Sequence, residues 1–208
     1  MNPAAIVVAA GTGTRFGGPK HQQVLAGTPL WKRSVNVFDA SGIEEIVVVG
    51  DVPGGIPGGR RRQDSVAAGL DALSDRPDWV IVHDAARPLV TEGLVERVLS
   101  RAAEGDVDAV IPSVPMTDTV KRVDGEIIVG TVDRDTLVTV QTPQAFRLTA
   151  LRSAHMASSV DATDDAALVE LAGGTVVHVN GDPMNIKITY PQDLVVAEAL
   201  LSREATDE

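Results

Sequence analysis

An apolar run, Ala4 to Val8, empties into Ala9-Ala10-Gly11-Thr12-Gly13-Thr14-Arg15-Phe16-Gly17-Gly18-Pro19-Lys20. Glycines after such a run leave backbone N–H groups bare of side chains, which is how a chain cradles phosphate oxygens. Arg15 and Lys20 set two cations beside that cradle. The loop therefore reads as a holder for a nucleoside triphosphate that neutralises charge during reaction at phosphorus. Two other glycine patterns do not fit. A Walker loop requires G-x-x-x-x-G-K-[ST], but Gly18 is followed by Pro19, Lys20 and His21. A dinucleotide fingerprint requires G-x-G-x-x-G and an acid about 20 positions on. Here Gly11, Gly13 and Gly17 are spaced otherwise, and the next acid, Asp39, falls in a helical pattern. The plain alternative is a strand-to-helix turn whose Arg and Lys are only solvated.

Four more groups of residues lie at or just past predicted strand ends, where open α/β sheets bind ligands. In His83-Asp84-Ala85-Ala86-Arg87-Pro88, Asp84 ends a strand and is suited either to hold Mg²⁺ through one oxygen or to cap a turn. In Gly58-Gly59-Arg60-Arg61-Arg62-Gln63-Asp64-Ser65, the glycines allow close approach to a base edge. Arg62 and Ser65 are the candidate contacts there, Ser65 also being able to begin a helix, while Arg60 and Arg61 read as a solvated face. Thr119 and Arg134 fall opposite one another across a predicted hairpin, as a phosphate clamp or as part of a surface ion pair. Lys187, in Asn185-Ile186-Lys187-Ile188-Thr189, arrives at a helix start, where anions are favoured.

The elements that must carry these groups are short β-branched runs alternating with segments of helical period, which predicts an α/β fold with a mostly parallel sheet. Strands are expected at Ala4 to Val8, Glu45 to Val49, Asp78 to Val82, Ala109 to Pro112 and Thr175 to Val179. Helices are expected at Pro29 to Asp39, closed by Gly42, and after a Thr91 cap, with a stripe of Leu94, Val95, Val98, Leu99 and Ala102. A last helix is expected from a Thr189–Gln192 capping box, with Pro191 in its first turn, to about Leu201, followed by a frayed tail. Met116 to Val140 breaks the alternation with two or three extended pieces around Asp124-Gly125. Such a hairpin cannot bury itself, and is expected to be an arm packing on a second subunit.

The 208 residues fit one domain. There is no cysteine, and His21, His83, His155 and His178 are too scattered for zinc. A net charge of −11 opposes extended nucleic-acid binding. No apolar segment has the length of a membrane span or signal peptide, so the expected location is cytoplasmic. Lysine occurs only at Lys20, Lys32, Lys121 and Lys187, three of them inside these motifs.

Taken in order, A-A-G-x-G-x-R at Ala9 to Arg15, Pro19-Lys20, H-D-A-A-R-P at His83 to Pro88, T-V-D-R at Thr131 to Arg134, T-P-Q at Thr142 to Gln144, T-D-D at Thr163 to Asp165 and N-I-K-I-T at Asn185 to Thr189 resemble the 2-C-methyl-D-erythritol 4-phosphate cytidylyltransferases of isoprenoid precursor synthesis. The resemblance spans nearly the whole chain. It implies a Rossmann-like nucleotidyltransferase fold and a homodimer exchanging β-arms, with CTP and methylerythritol phosphate as substrates and Mg²⁺ as cofactor. By the same resemblance Arg15 and Lys20 stabilise the transition state, Arg134 and Lys187 hold the sugar phosphate, and Asp84 carries the metal. Ala9, Ala10, Gly11, Gly13, Gly58, Gly59 and Ser65 recognise cytosine and ribose, Thr119 and Arg87 complete the acceptor site, and Ala85 and Thr142 join the binding residues through their motifs. Ribitol 5-phosphate cytidylyltransferases are the alternative, but they tend to read H-D-S-V-R-P and to lack T-V-D-R. Two departures from the family stand out: His21-Gln22-Gln23 replaces Gln plus an aromatic, and the stretch between Gly50 and Gly58 is short. A phosphate monoester, with its second pKa near about 6, is already nucleophilic at neutral pH. No general base is needed, and His83 reads as a structural hydrogen-bonding residue.

Overall fold

A computed structural model describes residues 1–19, 22–158 and 160–207, with side chains through residue 203. Its main sheet is built from β1 (Pro3–Val8), β4 (Glu45–Val49), β5 (Trp79–Asp84), β6 (Ala109–Pro115), β10 (Gln144–Arg147) and β11 (Val176–Asn180), in the order β11-β6-β10-β5-β1-β4. A short β9 (Val138–Val140) adds to β6. β1 pairs in parallel with both β4 and β5, and β11 with β6. β9 is antiparallel to β6, and β10 runs antiparallel between β5 and β6 as well. No reading of the sequence identified that strand: four residues, Gln-Ala-Phe-Arg, carry too little alternation to reveal it or its direction.

The expected strands are otherwise present within one to three residues at their ends, and their unbroken apolar runs have a simple cause. The sheet is buried on both faces. Ala4, Ile6, Val80 and Val82 face one core, shared with α2 (Arg62–Ala72), α4 (Leu148–Ala157) and α5 (Asp165–Leu171). The alternate residues Ala5, Val7, Trp79 and Ile81 face the other, shared with α1 (Leu30–Ala40) and α3 (Glu92–Ala103). On α3 Thr91 caps as expected, its Oγ1 accepting from Leu94 N at 3.3 Å, and Leu94, Val95, Val98 and Ala102 are buried.

A third apolar cluster positions the site. Leu25 and Leu30, from around the small β2–β3 ribbon (Val24–Leu25 and Thr28–Pro29), pack with Leu89, Ile188 and Ala197, the last on α6 (Pro191–Asp207), and Ile186 packs against them. α6 differs from expectation at both ends. The Asp193 carboxylate, not Gln192, accepts from Thr189 N at 2.7 Å and Tyr190 N at 2.8 Å, and the helix continues through most of the tail expected to fray.

The hairpin is present as β7 (Val120–Asp124) and β8 (Ile127–Val132), paired with each other and with no third strand among the described residues. The third extended piece belongs to the main sheet instead, because Val138–Val140 pairs with Ser113 to Pro115 at the far end of β6. Among the described residues no helix is long and apolar enough to cross a membrane.

Candidate active site

β1 lies between β4 and β5, so the chain leaves it toward one side and later returns on the other. That reversal opens a crevice at the carboxyl ends of the strands. Asp84 sits there in register with Val8, and Ala85 N donates to Val8 O at 3.0 Å. A cleft of about 470 Å³ occupies the crevice, walled by residues 8–16, 59–62, Ser65, 84–86, Lys187 and Thr189. Four groups distant in sequence thus meet: the glycine loop with Arg15, the start of α2 with Arg62, the end of β5 with Asp84, and Lys187.

Each is placed by its local sequence. In the glycine loop, the Gly13 carbonyl accepts from the N–H groups of Phe16, Gly17 and Gly18 at 2.9 to 3.2 Å, which closes a tight turn. The N–H groups of Gly11, Thr12 and Gly13 have no acceptor among the described residues and line the cleft, as an anion or base cradle requires. Lys20 lies outside the described residues, as does His21, so the expected role of Lys20 stays an expectation.

Gly58 and Gly59 permit close packing at the opposite wall. A Cβ on Gly58 would stand 2.2 Å from Ala10 Cβ, and one on Gly59 the same distance from Asp64 Cβ. Gly59 is on the cleft wall, while Gly58 lies behind it against Ala10. Ser65 does not begin α2. The helix starts at Arg62 behind an Arg61–Asp64 capping box, and Ser65 Oγ instead accepts from Gly59 N at 3.1 Å and donates to Arg61 O at 3.2 Å, pinning the loop. The short stretch after Gly50 is a closed turn, with Gly50 N donating to Ile56 O at 2.8 Å. Gln22 Nε2 donates to Asp51 O at 3.1 Å, tying the segment that departs from the family to that turn.

Asp84 is the electrostatic centre. Its Oδ1 accepts from Arg62 Nε at 2.9 Å and its Oδ2 from Lys187 Nζ at 2.7 Å. Burial pushes this carboxyl's pKa up, but Arg62 and Lys187 outweigh burial and hold it far below the usual carboxylate range. Burial likewise disfavours the charged Arg62, and Asp84 with Asp165 more than restores it. Lys187 faces the cleft because its neighbours Ile186 and Ile188 pack into the third cluster, and because Ile188 N donates to Ala86 O at 2.7 Å.

Behind Asp84 a hydrogen-bonded chain fixes its backbone. Asp84 N donates to Thr142 Oγ1 at 3.0 Å, Thr142 Oγ1 meets His83 Nδ1 at 3.1 Å, and His83 Nε2 meets Arg87 O at 3.2 Å. A carbonyl only accepts, so Nε2 carries the proton and the Thr142 hydroxyl donates to Nδ1. Burial pushes His83 down to about 4, consistent with a neutral ring. His83 is fully buried and is structural, as its sequence context indicates.

The structure does not bring every expected residue to the cleft wall. Thr142 is buried behind Asp84. Arg87 is a brace, its Nη1 donating to Asn185 O at 2.8 Å and its Nη2 to Val140 O at 3.2 Å. Thr119 and Arg134 belong to the arm and are exposed, away from the cleft wall. Arg134 Nη1 donates to Thr117 O at 2.6 Å.

Among the described residues there is no cluster of three His or carboxylate side chains able to enclose a metal. The donor set is one carboxylate on a cleft wall rich in cations. That fits Mg²⁺, which binds through one or two carboxylates and completes its shell with water and substrate phosphates.

A family model for 2-C-methyl-D-erythritol 4-phosphate cytidylyltransferase matches residues 4–203. The chain belongs to this family. It is 38% identical to the enzyme of that name from Bacillus licheniformis, over 100% of this chain and 99% of the relative. It is 43% identical to a bifunctional enzyme, IspD/IspF, from Solidesulfovibrio magneticus over 96% of this chain, and spans 57% of that longer protein. The crystal structure of the Thermus thermophilus 2-C-methyl-D-erythritol 4-phosphate cytidylyltransferase superposes with a TM-score of 0.81 at 36% identity, over 95% of this chain and 98% of that one. The chain is therefore a nucleotidyltransferase of the cytidylyl class, and the ribitol phosphate alternative is not favoured.

Two further side chains behind the cleft wall were not expected there. Asp165, in the T-D-D motif, takes Arg62 Nη1 at 2.5 Å, and His155 Nε2 donates to the same carboxylate at 2.9 Å. The motif was visible in the sequence, but nothing in its spacing connects it to an arginine 103 residues away.

Proposed function

We propose that the cleft binds CTP with a divalent cation, Mg²⁺ or a close equivalent, and that the phosphate oxygen of 2-C-methyl-D-erythritol 4-phosphate attacks the α-phosphorus. The new P–O bond forms as the bond to pyrophosphate breaks, giving 4-diphosphocytidyl-2-C-methyl-D-erythritol and pyrophosphate. One observation carries this reading: Arg15, Arg62 and Lys187 converge with Asp84 beneath a glycine loop in a single cleft. The N–H groups of residues 11–13, without an acceptor among the described residues, and Ser65 are the proposed contacts for base and ribose, with Ala9, Ala10, Ala85 and Gly59 shaping the walls.

The chemistry asks little of the protein beyond positioning and charge. Two anions must be brought together, aligned and neutralised, which preorganised cations accomplish without a proton-transfer group. Asp84 holds the cation, which when bound supplies charge neutralisation at the phosphates. Lys187, released from Asp84, turns to the acceptor phosphate, and Arg15 answers the charge that builds in the transition state, with Lys20 as the second cation expected from the sequence.

The acceptor site is completed in this proposal by a second copy of the chain. The arm exposes Val123, Ile127, Ile128 and Val129 at 55 to 68% of their surface, a patch that an isolated hairpin leaves unburied. Packing it on a partner brings Thr119 and Arg134 of one protomer toward the cleft of the other. Purified protein incubated with Mg²⁺, each common nucleoside triphosphate and either methylerythritol phosphate or ribitol phosphate is expected to release pyrophosphate only with CTP and methylerythritol phosphate. Product formed with ribitol phosphate alone overturns the assignment of the acceptor.

A further inference from the structure

Asp165 is a second buried acid behind the cleft wall, and the transfer reaction has no direct use for it. It is 1% exposed, sits in the first turn of α5, and joins two side chains from different helices: Arg62 of α2 and His155 of α4. Its neighbour Asp164 faces elsewhere, capping Ala167 N at 3.0 Å and accepting from Gln144 Nε2 at 3.1 Å. The Asp165 loop is also tied to α2 by an Arg61–Asp161 ion pair at 3.6 Å. The position of Arg62 is therefore dictated from behind as well as from the cleft.

The way Arg62 is shared decides what Asp84 has to offer. A guanidinium facing one carboxylate prefers to engage both oxygens at once. Here Asp165 holds Nη1 from behind, and in the orientation so fixed Arg62 gives Asp84 a single bond, from Nε to Oδ1, while Oδ2 is left to Lys187. A lysine on a flexible stem, holding one oxygen at 40% exposure, exchanges for another cation far more readily than a bidentate arginine would. We propose that Asp165, backed by His155, is a positioning residue for Asp84: by anchoring Arg62 through Nη1 it fixes the guanidinium in the orientation that meets Asp84 by Nε at one oxygen, and so keeps the other available to a nucleotide-bound divalent cation. This inference rests on the reading of Asp84 as the cation-holding carboxylate.

The test measures Mn²⁺ bound in the presence of CTP, from the electron-paramagnetic signal of free Mn²⁺, alongside steady-state kinetics. Asp165→Asn is expected to weaken Mn²⁺·CTP binding about 10-fold or more, the range for removing an outer partner of a metal ligand, with KM for methylerythritol phosphate unchanged at saturating metal. His155→Leu is expected to show a smaller loss, recovered by His155→Gln, whose amide N–H can reach the same carboxylate. Should Asp165→Asn fail to fold, the His155 pair carries the test. Lower thermal stability with unaltered Mn²⁺ binding in these variants means a purely structural role and overturns the proposal. Asp84→Asn separates the two levels of inference: loss of binding there alone overturns the role of Asp165, whereas unchanged binding in every variant overturns the reading of Asp84 as well.

Discussion

The cleft and the arm distribute charge and apolar surface in opposite ways. In the cleft, polar and charged groups answer one another in a row from the cleft wall inward, Lys187 to Asp84 to Arg62 to Asp165 to His155, with contacts of 2.5 to 2.9 Å. In the arm, Ile127, Ile128 and Val129 lie in solvent, and polar contacts such as Lys121 Nζ to Thr131 Oγ1 at 2.7 Å stay within the hairpin. The cleft is electrostatically closed within one chain. The arm leaves its apolar residues exposed, and in the proposed dimer a second copy covers them. A variant in the cleft should therefore damage the protein that carries it, and a variant in the arm should damage its partner.

The largest expected effect is in the cleft. Lys187→Ala removes the cation proposed to reach the acceptor phosphate, and kcat is expected to fall about 10²- to 10³-fold, as for loss of one preorganised electrostatic contact. The fold should survive, because Lys187 is partly exposed and its backbone is held by Ile188 and Ala86. Near-normal turnover of pyrophosphate release in the variant is incompatible with the proposed site.

A second prediction concerns the support behind the cleft. Unfolded, His83 titrates near 6.5, and in the fold burial pushes it down to about 4. Between those values the unfolded chain binds a proton that the native chain does not, so stability falls as pH falls through that window and is fully present above it. The contribution is about 3 kcal/mol across the window, at roughly 1.4 kcal/mol per pKa unit. Urea unfolding at several pH values between 4 and 7 is expected to show a shallower pH slope for His83→Asn than for the wild type. Equal slopes mean that His83 does not stay neutral in the fold.

These two regions also differ in how much of them the sequence discloses. The glycine loop, Asp84 and Lys187 are legible because a ligand-binding group must sit at the end of a strand or the start of a helix, and local pattern marks both. The pairing of Lys187 with Asp84, and of Arg62 with Asp165, joins residues 103 apart in each case, and only the folded sheet sets that distance. Arg87 and Thr142 show the reverse limit. Their residue types suit phosphate or ribose, yet the same hydrogen-bonding groups serve equally to brace a backbone, and the structure uses them to hold Asn185, Val140 and Asp84. In the arm, alternation locates the strands, but the exposed face identifies itself only once the main sheet is seen to leave it uncovered.

The smallest expected effect comes from the arm, and it tests the contrast most directly. Arg134→Ala is expected to raise KM for methylerythritol phosphate about 10-fold, equivalent to about 1.4 kcal/mol, while CTP affinity is retained. A collapse of CTP affinity instead puts Arg134 in the nucleotide subsite. Because the arm is assigned to the partner's cleft, Arg134→Ala and Lys187→Ala should complement one another. In a mixed dimer, one of the two sites combines an intact cleft from the Arg134→Ala chain with an intact arm from the Lys187→Ala chain. Random exchange makes about half of the dimers mixed, so about one quarter of wild-type activity is expected at low methylerythritol phosphate. If mixing restores nothing while the subunits demonstrably exchange, each arm serves its own protomer, and the division between a self-sufficient cleft and a partner-dependent arm fails.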